Sequence, residues 1–334
     1  MPELPEVETI RRGLSKYIVK KKIVGIDVLC EKSFIGELVK GRVLEIRRFG
    51  KALVVDVEGG VSLLIHLRMT GQLIYRSRLD NRGGLWDTEG NCGSGDEGDC
   101  GFAGGHPSEN FVDELPNKQT RVVIDFGEGV LYFNDQRKFG FIKVIKTSEV
   151  EKDAFIRKLA PEPWNMTAEE LHGWLQRHRN SVIKAVILDQ TVICGLGNIY
   201  ADEALFAAGI YPGRRAGTVS FAETERLIDA AREVMEKSIA AGGSTMETYV
   251  KADGTRGDYL ELFAQVFHRQ GKPCMRCGTK IVKTRVAGRG THYCPVCQRI
   301  DGGECGGAEY VGAYEISEKT GVDDGEQRKN GGNK

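Results

Sequence analysis

Two groups of residues in this 334-residue chain have the types and spacing to do chemistry. The first is the opening Met1-Pro2-Glu3-Leu4-Pro5-Glu6-Val7-Glu8. Proline directly after the initiator permits Met1 to be trimmed, which leaves Pro2 with a free secondary amine. An α-amine with a pKa near 8 is about one-fifth neutral at about pH 7.4, against roughly 0.1% for a lysine amine near 10.4, so Pro2 is the better nucleophile. Pro5 suits the first turn of a helix whose apolar face is Val7, Ile10 and Leu14. Pro2 then lies near the positive end of the helix dipole, which favours the neutral amine. Glu3 is the adjacent candidate for proton transfer, and Glu6 is placed to line the same site. The same segment also reads as an ordinary capped helix whose acids complement the dipole.

The second group is Cys274-x2-Cys277 and Cys294-x2-Cys297, separated by 16 residues. This is the spacing of a four-thiolate zinc site. Four sulfur ligands close the coordination shell, so the expected role of the one Zn2+ is structural, with His292 a bystander. Between the pairs, Lys280 to Tyr293 reads as two short strands around a glycine-flanked turn. The remaining cysteines, Cys30, Cys92, Cys100, Cys194 and Cys305, are scattered and read as idle thiols in a reducing compartment.

The elements that must position these groups fall into two styles. Lys22–Cys30, Arg42–Arg48, Lys51–Val57, Val61–Leu67, Gln72–Arg76, Thr120–Phe126, Val130–Asn134 and Phe139–Ile145 are Val-, Ile- and Leu-rich runs broken by glycine. They predict an antiparallel β-sandwich behind the N-terminal helix. From residue 148 the pattern turns helical, with capping boxes at Thr167-x-x-Glu170 and Ser220-x-x-Glu223 and a long helix over Phe221–Ile239. The fold class is α+β. The expected boundaries are a β-sandwich domain over 1–147, a helical domain over 148–265, a zinc hairpin over 266–300 and a disordered tail over 301–334. Within the first domain, residues 79–118 are Gly-rich, acidic and aperiodic, which predicts a disordered insertion. Phe102, Phe111 and Val112 are its only hints of docking.

The formal net charge of zero conceals an asymmetry. Residues 79–118 hold nine acids against two bases and residues 301–334 eight against four, leaving 30 acids and 41 bases elsewhere. That excess of positive charge suits a phosphate-rich partner. No apolar run approaches the length of a membrane span, and Glu3, Glu6 and Glu8 stand where a signal peptide needs a basic then apolar stretch. The expected location is cytoplasmic.

Pro2-Glu3-Leu4-Pro5-Glu6-Val7-Glu8 resembles the opening of formamidopyrimidine-DNA glycosylases, and the resemblance extends over residues 1–78 and 119–300. It implies a bifunctional DNA glycosylase and AP lyase that removes oxidised purines from double-stranded DNA as a monomer. Pro2 attacks C1′ and forms an iminium that drives β- then δ-elimination. By the same resemblance, the DNA lies in a cleft between a β-sandwich and a helix-two-turn-helix domain. Arg289 in Ala287-Gly288-Arg289-Gly290 clamps phosphates, and Lys51 after Phe49-Gly50 lies near the lesion and its phosphate. Met69, Arg137 and Phe139 fill the gap left by the flipped nucleotide. Asn198 and Lys184, flanking a glycine-rich turn, bind phosphate, and residues 251–262 match the loop that covers the extruded base. Gln119-Thr120-Arg121 and Phe267-His268-Arg269 depart from the family's pattern, so that a DNA contact either passes to Arg121 or is lost. An endonuclease VIII-type enzyme for oxidised pyrimidines and a noncatalytic zinc-containing damage binder are the rival readings.

Overall fold

The computed structural model describes residues 1–78, 101–105, 114–244 and 259–300. Helix α1 (Leu4–Ile18) begins with Pro at its first turn, as its sequence demands, and buries Val7, Ile10 and Leu14. Eleven strands follow: β1 (Lys22–Ile23), β2 (Gly25–Val28), β3 (Phe34–Ile35), β4 (Gly41–Phe49), β5 (Ala52–Val57), β6 (Val61–His66), β7 (Gly71–Ser77), β8 (Gly101–Gly105), β9 (Thr120–Asp125), β10 (Gly129–Asp135) and β11 (Phe141–Lys146). They form a six-stranded sheet in the order β1-β4-β5-β6-β11-β3 and a five-stranded sheet in the order β2-β9-β10-β7-β8. Leu53, Val55, Leu63 and Ile65 of the first sheet meet Leu73, Tyr75, Val122 and Phe133 of the second in one core, which α1 joins through Val7, Ile10 and Leu14.

Three expectations change. The run Lys22–Cys30 is not one strand, because it breaks at Val24: β1 pairs with β4 in one sheet and β2 with β9 in the other. The sandwich is antiparallel except where β3 lies parallel to β11. Finally, residues 101–105 of the acidic insertion are ordered as β8, paired with β7. Phe102 explains the docking, for it is 3% exposed and packs with Tyr17 of α1 at a ring distance of 6.2 Å. Gly13 leaves the notch it fills, since a Cβ there would meet the Phe102 ring at 2.1 Å. Phe111, Val112, the rest of 79–113, residues 251–258 and the tail from 301 lie outside the described residues.

Short 3-10 turns lead from β11 into α2 (Ala168–Arg177), α3 (Ile183–Ile187), α4 (Asn198–Ala207), α5 (Phe221–Ala240) and α6 (Tyr259–Leu262). Both sequence-read capping boxes form, with Thr167 and Ser220 accepting from Glu170 and Glu223 main-chain nitrogens. The helical core gathers Ile183, Ile187, Tyr200, Leu205, Leu227 and Met235, and it also takes in Leu4. One helix therefore feeds two cores: Leu4 packs among the helices, while Val7 and Ile10 pack in the sandwich. Glu8, Arg48 and Glu162 reinforce the joint, with Arg48 bonded to both acids. Burial alone would raise the Glu8 carboxyl, but hydrogen bonds from Arg11, Arg12 and Arg48 hold it at about 2.

Strands β12 (Val282–Val286) and β13 (Arg289–Tyr293) form a hairpin beside the helices. Its two turn residues, Ala287 and Gly288, have φ of 49° and 75°, the positive values that a two-residue hairpin requires.

Candidate active site

The site grows from the meeting of α1 with the N-terminus of α4. Gly195 has φ +96°, and a Cβ on it would lie 2.3 Å from Leu4; a Cβ on Gly197 would lie 2.1 Å from the Glu3 carboxyl carbon. These glycines exist so that the start of the chain can lie against the turn, and Leu4 N donates to Gly195 O at 3.2 Å. Glu3, 3% exposed, accepts from Ile199 N at 3.1 Å. The first turn of α4 thus receives the chain's own carboxylate where the sequence suggested a phosphate.

Burial raises the Glu3 carboxyl to about 7; the Lys51 charge opposes this, and Glu6 adds to it. Glu3 can therefore exchange a proton near neutrality. Lys51 lies in the turn before β5, 7% exposed, and donates from Nζ to Leu196 O at 2.6 Å. Desolvation lowers its pKa against the attraction of Glu3. Gly50 sets that turn: it has φ +55°, and a Cβ there would collide with Cys194 Sγ. Burial pushes the Cys194 thiol up to about 12, consistent with an idle thiol.

Pro2 is buried at the head of α1. The preceding amine, on Met1 here, is lowered by desolvation, opposed by Glu3 and Glu6 and assisted by Lys51. The chain start, both acids and the lysine thus share one electrostatic neighbourhood. Glu6 accepts from Glu3 N at 2.7 Å, from Ser244 N and Oγ at 2.8 Å each, and from the Tyr200 hydroxyl. It ties α1 to Ser244, the last described residue before the segment expected to cover the base.

Lys184 and Arg121 depart from their expected direct DNA contacts. The Lys184 side chain is 0% exposed and spends its three donors on Asp202 Oδ1 at 2.6 Å, Thr291 Oγ1 at 2.8 Å and Gly290 O at 3.2 Å. It is a peg beneath the hairpin. Arg121 is 8% exposed and donates to the main-chain oxygens of Asp135 at 2.7 Å and Lys118 at 3.1 Å, so it braces a loop. Asn198 donates to Gly290 O at 3.0 Å, while its buried Oδ1 has no partner among the described residues. Arg289 is exposed at the head of β13, with its charge close enough to depress both Lys51 and Lys184.

Met69 and Phe139 sit on neighbouring turns, 39% and 56% exposed, and the Arg137 guanidinium lies 4.9 Å over the Phe139 ring. Phe139 precedes β11 instead of opening it. The sequence reading missed Asp202, which takes Lys184 on one oxygen and His292 N on the other at 2.8 Å. It also missed Glu203, whose carboxylate accepts from Gln265, Val266 and Phe267 main-chain nitrogens at 2.7 to 3.0 Å and anchors the entry to the zinc hairpin. Buried acids on the apolar helix Asn198–Ala207 were the available signal.

The four cysteine sulfurs lie within 4.8 Å of one another, with Cys274 to Cys297 at 3.9 Å and Cys277 to Cys294 at 3.4 Å. A tetrahedron with Zn–S of about 2.3 Å has sulfur edges of about 3.8 Å. The residues fit one structural zinc. Arg276 fastens the knuckle to α4 through Phe206 O at 3.0 Å.

A β-sandwich, a helix-two-turn-helix unit and a zinc hairpin converging on an N-terminal acid define a DNA glycosylase of base excision repair. Three family models match in turn: the formamidopyrimidine-DNA glycosylase N-terminal domain over residues 1–142, its H2TH domain over 159–250, and the zinc finger found in FPG and IleRS over 271–300. The formamidopyrimidine-DNA glycosylase of Desulfitobacterium hafniense is 38% identical over 309 residues, covering 89% of this chain and all of that protein. That of Pelotomaculum thermopropionicum is 38% identical over 311 residues, covering 90% of this chain and all of that protein. A crystal structure of a Lactococcus lactis FPG mutant with Fapy-dG-containing DNA superimposes with a TM-score of 0.74 at 32% identity, covering 89% of this chain and all of that one. The chain belongs to the formamidopyrimidine-DNA glycosylase family. That membership sets aside the noncatalytic reading.

Proposed function

We propose that the chain excises oxidised purines, 8-oxoguanine and formamidopyrimidines, from duplex DNA and then cleaves the resulting abasic strand. The observation that carries the chemistry is Glu3, buried against α4 beside the chain start and poised near neutrality. With Met1 removed, the Pro2 nitrogen bonds to C1′ and the C1′–N bond to the damaged base breaks, the base departing with the electron pair and taking up the proton that the Pro2 nitrogen sheds. Glu3 supplies a proton to O4′ as the sugar ring opens, leaving a C1′–Pro2 iminium. A secondary amine makes this iminium obligatorily cationic, so C2′ loses a proton readily and the C3′–O bond breaks. A second elimination breaks the C5′–O bond, and water releases Pro2.

In this reading Arg289, next to Lys51, clamps the phosphates at the lesion, and Asn198 retains an amide hydrogen for the backbone. Lys184 acts through the hairpin that it pins, and Lys51 steadies the Glu3 carboxylate. Met69 and Phe139 occupy the gap left by the extruded nucleotide, while Arg137 meets the orphaned cytosine. One chain supplies every one of these residues, so the enzyme acts as a monomer, with the cytoplasmic nucleoid as its place of work. Among the described residues no helix is long and apolar enough to cross a membrane.

A Lactococcus lactis relative at 31% identity and a TM-score of 0.72 was solved with oxidised-pyrimidine-containing DNA, which keeps pyrimidine lesions in view as second substrates. Borohydride trapping on 8-oxoguanine and thymine-glycol duplexes tests both. Efficient crosslinking on the purine strand is expected, and preferential crosslinking on thymine glycol would reverse the assignment.

A further inference from the structure

Two exposed turns carry the two proposed gap-filling side chains and Arg137, the proposed reader of the orphaned base, and each contains a non-glycine residue in the left-handed region. Arg68 has φ 52° beside Met69, and Lys138 has φ 57° between Arg137 and Phe139. Such conformations cost roughly 1 to 3 kcal/mol each and persist only where the surroundings over-determine them. What over-determines these turns is one carboxylate.

Asp135, 0% exposed at the end of β10, accepts from Arg137 N on Oδ1 at 3.1 Å and from Gly140 N on Oδ2 at 2.6 Å. It therefore brackets the Arg137-Lys138-Phe139 turn from both ends. The same Oδ1 takes the Thr70 hydroxyl, and Thr70 Oγ1 in turn accepts from Arg137 N at 3.0 Å. Thr70 directly follows Met69 in a turn closed by Gly71 N to Leu67 O at 2.9 Å. A Cβ on Gly140 would crowd His66 O, Phe133 and Asp135 itself, so that turn is seated tightly. Arg121 completes the frame by bonding Asp135 O.

We infer that the Thr70–Asp135 bond is a positioning staple that sets the separation of Met69 from Arg137 and so determines how strictly the enzyme discriminates the base opposite the lesion. The inference rests on the assignment of Arg137 to that base. Hydrogen-bond readout of a base tolerates little displacement of the donor, because a guanidinium moved out of plane or range no longer separates cytosine from adenine. Arg137 reaches the duplex from a flexible side chain, so its main-chain anchor must be fixed, and Thr70 supplies one of the two acceptors that fix it.

The experiment compares excision of 8-oxoguanine opposite cytosine with that opposite adenine, as a ratio of kcat/KM values, in the full-length enzyme. The ratio is internal to one preparation, so partial loss of folded protein does not move it. Thr70→Val removes the hydroxyl at nearly constant shape and should lower the ratio about tenfold. Thr70→Ser keeps the hydroxyl and should hold it within about twofold of the parent. Arg137→Ala reports separately on the underlying assignment and should also lower the ratio. If Arg137→Ala lowers it and Thr70→Val does not, the staple is refuted while Arg137 keeps its role. If neither moves it, the Arg137 assignment fails and the inference falls with it.

Discussion

Glu3 feels two environments that pull its proton in opposite directions. Burial against Gly197 favours the neutral acid, while Lys51 and the amide of Ile199 favour the carboxylate, and the balance falls at about 7. An acid form is therefore present below about pH 7 and lost above it, whereas the Pro2 amine becomes nucleophilic as pH rises. Single-turnover excision should follow a bell whose alkaline limb belongs to Glu3. Glu3→Gln should reduce excision about 100- to 10,000-fold with duplex binding largely kept, as gel-shift measurements would show. Lys51→Gln removes the charge that lowers the Glu3 pKa, so the alkaline limb of its residual activity should move to higher pH. A limb that stays in place would mean that Lys51 does not set the Glu3 proton.

Helix α4 (Asn198–Ala207) shows how one element can organise a site mainly through the protein groups it holds. Asn198 and Asp202 hold the hairpin, Ile199 holds Glu3, and Glu203 holds the entry to the zinc module. Asp202→Ala strands the buried Lys184 charge and should cost about 3 to 5 kcal/mol in urea unfolding. Replacing both partners, Lys184→Met with Asp202→Leu, should cost far less, because no uncompensated charge remains. Equal losses in the two proteins would show that packing, not charge, dominates there. At the opposite end of α1, Phe102→Ala should destabilise by about 3 to 5 kcal/mol, since Gly13 leaves a notch that the ring fills. A melting temperature unchanged from the parent would show that β8 is dispensable.

At the scale of the molecule, α1 is shared between two cores, so Pro2, the proposed nucleophile, and Glu3 lie where the sandwich and the helices meet. Arg289 approaches from the third side, on a hairpin whose base is the cysteine cluster and whose flank is pinned by Lys184. Removing zinc should loosen that base. Affinity for abasic duplex should fall, and the dependence of log K on log salt should flatten by roughly one phosphate contact. Full affinity after verified metal loss would disconnect the zinc from Arg289.

The sequence by itself determined whatever depends on local spacing. Pro5 with Val7, Ile10 and Leu14 announced α1, the two Cys-x2-Cys pairs announced the metal knuckle, and Thr167 and Ser220 announced their helix starts. Each rests on contacts a few residues apart. Met69 and Phe139 were singled out only through the family resemblance, and it is the structure that leaves both exposed on turns. Only the tertiary structure decided which charges meet. Lys184 was read as a phosphate ligand and Arg121 as a DNA contact because a lysine or arginine carries no mark of burial, yet partners 18, 107 and 14 residues away engage them. Phe102 likewise sat in an acidic, aperiodic stretch and found its place through a glycine on a distant helix. Long-range pairing takes its energy from neighbours that the chain order does not place side by side, and folding alone selects them.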